Sequence, residues 1–353
     1  MGCSAMQAAI ISRVFHALLA LLLATTFQPA LPGYQYEFPR DHGTHNEYRT
    51  EWWYYTGHLR ADDGHRYGFE LTFFRFGVVP EEQSNPWDLR HVALAHFAIT
   101  DIDGRDFRYY EKLNRMSPFT ASASDERLDV FNEGWRATTL PDGSWRIHAQ
   151  SGKDALDLVM RTRKPPAIQG EHGVSVKSEG IGGSASHYYS MTRLEASGSV
   201  DGRRCTGLVW MDHEFGSSQL RKDQRGWDWF SIQLDDATEL MLYIIRRSDG
   251  TPDVVSSGSL IARDGSVTHL THDQFAVRAT GSWKSPKSGA TYPMGWEVDV
   301  PSRHLVLTPQ LEDQELLTKG STGVTYWEGA VSVSGSAKGE GYVEMTGYDR
   351  PQS

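Results

Sequence analysis

Apolar and polar residues alternate with a period of two along most of the chain from Tyr34 onward, the pattern of half-buried strands rather than helices. Glu51-Trp-Trp-Tyr-Tyr-Thr-Gly-His-Leu59, the polar Ala61-Asp-Asp-Gly64 and Tyr67-Gly-Phe-Glu-Leu-Thr-Phe-Phe-Arg-Phe76 predict a hairpin. Further strands are expected at Val92–Thr100, Trp135–Thr139, Trp145–Gln150, Ala155–Arg161 and Tyr188–Ser197. Asp101-Ile-Asp-Gly104, Pro141-Asp-Gly143 and Asp201-Gly202 supply turns between them. The second half repeats the style, with strands expected at Thr206–Glu214, Trp227–Leu234, Glu239–Arg246, Leu260–Ala262, Thr291–Val298, Leu305–Pro309, Thr325–Val333 and Gly341–Thr346. Only Lys112–Met116 suggests a short helix. Many short strands at regular spacing predict an all-β fold of sandwiches or barrels. The aromatic strand, polar turn and Glu-Leu strand ending in Arg at 52–75 recur loosely at 227–246. That echo predicts two similar β domains, 34–202 and 203–353.

One stretch breaks the pattern. Asp212, His213 and Glu214 sit inside the apolar run that begins Gly207-Leu-Val-Trp-Met211, just before a second aromatic strand, Gly226-Trp-Asp-Trp-Phe-Ser-Ile232. A charge within a buried strand must be paired, hydrogen-bonded or set against a wet cavity. Strand period puts Leu208, Trp210, Asp212 and Glu214 on one face and Val209, Met211, His213 and Phe215 on the other. Two carboxyls on one face repel, which raises at least one pKa and suits a general acid. The competing reading is an ion-pair network with Arg246 or Arg225.

Other candidates carry weaker signals. His42-Gly-Thr-His45 with Glu51 offers zinc-type ligands, but His-x-x-His in a loop lacks the helix that would align both rings. No metal and no cofactor is expected. Glu51 alternates with Trp53 and Tyr55, and Trp52 and Tyr54 take the opposite face. Glu328 and Glu344 stand singly in late aromatic strands, where satisfying backbone donors is the simpler role. No Gly-x-Ser-x-Gly elbow or phosphate-binding loop is present.

Composition narrows the function classes. The chain carries 11 Trp, 15 Tyr and 14 Phe, residues suited to pleated surfaces and to the linings of small-molecule pockets. A net charge of −10 leaves no basic stripe for phosphates and excludes nucleic acid. Arg13, the apolar Val14–Leu23 and the small residues of Ala24–Ala30 predict a signal peptide over residues 1–30, cleaved somewhere between 24 and 33, with an N-terminal membrane anchor as the alternative. Export to the periplasm or beyond is therefore expected. Cleavage would leave Cys205 as the sole cysteine, so no disulfide is expected.

Eight segments resemble, in order, one known family. They are Phe38-Pro-Arg-Asp-His-Gly43, Thr50-Glu-Trp-Trp-Tyr-Tyr-Thr-Gly-His58, Phe73-Phe-Arg75, Tyr188-Tyr-Ser-Met-Thr-Arg193, Trp210-Met-Asp-His-Glu-Phe-Gly216, Gly226-Trp-Asp-Trp-Phe230, Tyr326-Trp-Glu-Gly329 and Gly341-Tyr-Val-Glu-Met-Thr-Gly-Tyr348. The chain is similar to the two-domain lipocalin-like proteins that include AttH-type "predicted secreted hydrolases" and carotenoid 1,2-hydratases. The resemblance implies two antiparallel lipocalin-like β-barrel domains packed together, with a ligand site in or between them. The hydratase branch adds water across an isolated C=C bond. His213-Glu-Phe215 matches its His-x-Trp segment with Phe for Trp, and the Asp of its Tyr-x-Asp segment has no counterpart near Tyr243-Ile-Ile245.

Together these readings predict an exported protein that binds an apolar, isoprenoid or lipid-like small molecule. Asp212 or Glu214 would be the acid of a hydratase or isomerase, with His213 orienting or relaying the proton. Glu51, Trp52, Tyr54, Tyr188, Trp210, Phe215, Trp227, Trp229, Tyr243, Arg246, Trp327 and Glu328 are the expected pocket residues. The alternative is a non-catalytic carrier or envelope accessory protein, with an ABC-type exporter in the membrane as its partner. A third reading makes the barrels a scaffold only.

Overall fold

The computed structural model describes residues 27–80, 89–178, 184–217 and 220–349. Apart from one 3-10 turn at Arg40–His42, its regular structure is β. A 13-stranded antiparallel sheet forms a nearly closed barrel, and a 10-stranded sheet forms a half-barrel beside it. The all-β, lipocalin-like expectation holds.

In the first sheet Thr50–Ala61 pairs with Arg66–Gly77 on one side and with Arg203–Gly216 on the other. The sheet then runs outward through His91–Asp101 to Asp106–Arg115 one way. The other way it runs through Ala185–Val200 and Asp154–Thr162 to the short strands of the barrel's far side. The second sheet repeats this order. Gln224–Leu234 pairs with Glu239–Arg247 and with Gly339–Thr346, so in each sheet the first strand lies against the last. The 52–75 and 227–246 segments that echo each other in sequence occupy the corresponding opening hairpins.

The boundary expected after Gly202 falls inside a hairpin. Asp201 and Gly202 both have positive φ, 49° and 75°, the requirement of a tight two-residue turn. They fold Arg203–Gly216 back onto Ala185–Val200 across the full length of both strands. The crossing from one sheet to the other comes instead between Gly216 and Gln224. Lys112–Met116, expected as a short helix, is largely the end of the edge strand Asp106–Arg115, which pairs along one side with Val92–Asp101. Among the described residues no helix is long and apolar enough to cross a membrane. The signal-peptide segment up to residue 26 lies outside the described residues.

Alternation sorts the side chains into three layers. Trp53, Tyr55, Phe69, Leu71, Val209 and Met211 fill the barrel. Phe230, Ile232, Trp296, Trp327 and Val343 fill the concave side of the half-barrel. The opposite faces of the same central strands meet each other, where Tyr54, Tyr188, Trp210, Trp229 and Tyr243 form a third cluster. Each fully buried aromatic contributes ~2–3 kcal/mol of hydrophobic stabilisation. Polar residues in this middle layer are buried by the meeting of two sheets, and there the site lies.

Candidate functional site

A cavity of about 570 Å³ opens between the two sheets. The first sheet contributes Trp52, Tyr54, Glu70, Thr72, Phe74, His96, Tyr188, Asp212 and Glu214, and the second contributes Trp227, Trp229, Tyr243, Tyr326, Glu328 and Glu344. The loop residue Lys177 closes one side. Most of the wall is aromatic or aliphatic, yet five carboxyl groups face it.

Asp212 is held by three donors. The Tyr188 hydroxyl donates to it at 2.6 Å, the Ser190 hydroxyl at 2.5 Å and the Trp210 indole N–H at 2.7 Å. Burial nevertheless pushes its pKa up to about 7, because these hydrogen bonds only partly offset the loss of water. The Trp229 indole in turn donates to the Tyr188 hydroxyl at 3.2 Å, so the second sheet helps to fix the first. Glu214 accepts from Ser186 and pairs with the Lys177 ammonium at 2.9 Å. Burial opposes the Lys177 charge, but Glu214, Tyr243 and Asp212 together outweigh it and raise the pKa. Lys177 also lies 4.5 Å from the Tyr243 ring centre, a cation–π contact.

Glu70, Glu328 and Glu344 form a second group. Glu328 and Glu344 are direct cross-strand partners. The Tyr54 hydroxyl reaches across the cavity to donate to Glu328 Oε1 at 2.6 Å. Glu70 accepts from the Thr72 hydroxyl, and Glu344 is bonded by Trp227. Burial raises Glu70 to about 8, with repulsion from Glu344 adding to it. Burial raises Glu344 to about 7, and burial together with Glu344 and Glu70 holds Glu328 well above the carboxylate range. His96, hydrogen-bonded to Tyr326 and Ser321, is pushed down to about 3 by burial and stays neutral.

His213 faces the other way, as its strand position predicts. It lies against the barrel interior, with Nε2 3.0 Å from Glu51 Oε1 and Nδ1 3.0 Å from the Asp41 carbonyl oxygen. His45 Nδ1 meets the same Glu51 oxygen at 2.8 Å, and Arg75 Nε donates to Glu51 Oε2 at 2.9 Å. Burial would raise the Glu51 pKa, but Arg75 and the two histidines hold it well below the carboxylate range. His45, Glu51 and His213 are the one group among the described residues with metal-type spacing. Their polar atoms already bond one another, and the Arg75 guanidinium supplies the positive charge that a metal ion would bring. His42 does not join them; its Nδ1 lies 2.7 Å from the Tyr189 hydroxyl.

The period of two thus divides the expected site residues. Asp212, Glu214, Trp52, Tyr54, Tyr188, Trp227, Trp229, Tyr243 and Glu328 line the cavity. Trp210 stands behind the lining and donates to Asp212. Five residues point away. His213 and Glu51 belong to the barrel-side network, and Phe215 stacks on His45 with ring centres 3.6 Å apart. Arg246 pairs with Asp228 at 3.0 Å on the reverse of its strand, so it does not reach Asp212. Trp327 is core and donates to the Glu312 carbonyl at 2.7 Å. Each alternates with a residue that does line the cavity.

Glu70, His96, Lys177 and Tyr326 were not expected here, and Glu344 was expected only as a bland rim carboxylate. Glu70 and His96 carried the same signal that singled out Asp212, an ionisable group inside an aromatic or aliphatic strand. Lys177 had none, because a loop delivers it.

The AttH-like family model matches residues 29–348. An AttH protein of Nitrosomonas europaea is 33% identical and superposes with a TM-score of 0.84, covering 92% of this chain and all of its own, 100%. Kievitone hydratase from Nectria haematococca shares the fold at 14% identity, with a TM-score of 0.66 over 92% of this chain and 96% of its own. No curated protein sequence matches the chain.

Proposed function

The chain belongs to the AttH-like family, and from that premise we propose that it binds an apolar small molecule between its sheets and transfers a proton to it. The reaction class is hydration or isomerisation of a carbon–carbon double bond. The observation that carries this reading is Asp212, a carboxyl group with a pKa near 7 inside an aromatic cavity. A general acid works best when its pKa lies near the working pH. Asp212 would give its proton to the alkene, and its carboxylate would then stabilise the cationic carbon at short range. The Tyr188 hydroxyl, bonded both to Asp212 and to Trp229, is placed to orient it. Glu214 is tied to Lys177 and acts as a fixed ion pair. His213 lies on the other side of the sheet and has no part in the transfer.

The sharing of this fold with a hydratase is consistent with the reading. We further propose that the protein works outside the cytoplasm after removal of its leader. Phe27 packs on Gly77, and the Gln28 amide donates to the Glu47 carbonyl at 2.9 Å. A cut before Phe27 would keep this packing intact.

The test is incubation with a panel of isoprenoid alkenes in ¹⁸O- or deuterium-labelled water, followed by mass spectrometry. Label should enter one class of substrate, and Asp212→Asn should abolish incorporation while retaining affinity. Tight binding without label in the wild-type protein would make it a carrier and end the catalytic reading.

A further inference from the structure

The carboxyl group that serves as acid accounts for only one part of the cavity. Glu70 and Glu328 are each 1% exposed, and each has one oxygen, Oε2, with no hydrogen-bond partner. Both line the cavity, together with Glu344 on the neighbouring strand. Buried polar atoms are almost always satisfied, and a carboxylate oxygen left bare in an apolar wall is costly.

Among the described residues the basic groups of the lining are Lys177 and His96, and neither answers them. Lys177 is engaged by Glu214 and by the Tyr243 ring, and His96 is neutral and bonded at both ring nitrogens. The three carboxyls do not converge as metal ligands do, since the one cluster of that spacing among the described residues is His45, Glu51 and His213. What surrounds them is aromatic: Phe74, Trp227, Trp229 and Tyr326. Bare carboxylate oxygens beside aromatic faces form the environment that recognises an organic cation.

We infer that the ligand of this cavity carries a protonated amine on its apolar body, and that Glu70, Glu328 and Glu344 bind that ammonium group. The inference rests on the cavity being the ligand site, and it deepens that reading by naming the ligand class. Without ligand, burial raises the pKa of all three carboxyls and favours their protonated forms. An incoming ammonium donates to the bare Oε2 atoms of Glu70 and Glu328, and its charge is balanced by the loss of one proton from the carboxyl group cluster to the solvent. Asp212, held separately by Tyr188, Ser190 and Trp210, keeps its own proton for transfer.

The experiment compares three probes with one apolar body, 4-phenylbutylamine, 4-phenylbutanol and 4-phenylbutyrate, by calorimetry at pH 7. The amine should bind at least about tenfold more tightly than the alcohol, with the carboxylate weakest. Its binding should release protons, read from the dependence of the heat on buffer ionisation enthalpy. Glu328→Gln and Glu70→Gln should each remove most of the amine's advantage and leave the alcohol unchanged, which also shows that the variants are folded. Equal binding of amine and alcohol would overturn the inference while leaving the cavity reading intact. Binding of none of the three would overturn both. An amine preference that survives in both variants, or binding without proton release, would overturn the assignment to these carboxyls.

Discussion

Two buried polar clusters lie back to back on the same sheet, separated by the thickness of one strand. Asp41, His45, Glu51, Arg75 and His213 face the barrel, whereas Glu70, Asp212 and Glu214 face the cavity with Glu328 and Glu344 across from them. On the barrel side each carboxylate has a cationic or N–H partner and the space is filled. On the cavity side carboxyls outnumber cations, two oxygens are bare and there is room for a ligand. Adjacent residues, His213 and Asp212, therefore play opposite parts. Full pairing marks a group that holds the fold, and incomplete pairing beside space marks a group kept for something else.

The largest expected effect breaks the paired cluster. Arg75→Met leaves Glu51 buried without its main cation, and it should destabilise the protein by ~3–5 kcal/mol in denaturant unfolding. A loss below ~1 kcal/mol would mean that the barrel side is not held by charge pairing. The reverse sign is expected across the sheet. At pH 8 Glu344→Gln should stabilise the protein by ~1–3 kcal/mol, because a carboxyl that titrates at about 7 is by then a poorly paired buried charge.

The pH dependence of stability sharpens the same contrast. Asp212, Glu344 and Glu70 titrate at about 7, 7 and 8 in the folded protein, above their ordinary values of 3.8, 4.5 and 4.5. Groups with raised folded pKa values stabilise below their unfolded pKa, and that contribution is lost as pH rises through the folded pKa. Buried His42, His91 and His96 act oppositely, but their loss occurs as pH falls from 6.5 toward about 3. Between pH 6.5 and 8 the carboxyls therefore dominate, and the melting temperature should fall. Glu70→Gln should flatten that slope. The smallest effect belongs to Trp210→Phe, which removes one donor from Asp212. It should raise the Asp212 pKa by roughly one unit, seen as an upward shift of the basic limb of the pH–rate profile.

Much of this contrast is legible in the amino-acid sequence. The alternation of Val209, Met211, His213 and Phe215 against Trp210, Asp212 and Glu214 assigned both faces correctly, since a strand leaves no other choice. The expected pocket residues miss where they include neighbours from both faces, as with Glu51 beside Trp52 and Trp327 beside Glu328, and where Arg246 stands in place of its lining neighbour Ile245. Tyr54 meeting Glu328, 274 positions away, could not be read locally, because it depends on how two sheets stack. The Asp201-Gly202 turn was recognised, but its partners were not, and a tight hairpin was therefore taken for a boundary.

The cavity has one wall from each sheet, and the bonds that join the walls run through it: Tyr54 to Glu328, Trp229 to Tyr188, and Ser175 to Tyr243. A guest therefore sits among the rivets of the seam itself. Occupancy should tighten the grip of one half on the other, so a true ligand will announce itself as a rise in melting temperature of the entire molecule. Severing the chain at the crossover between Gly216 and Gln224 would leave two pieces, each holding half a doorway.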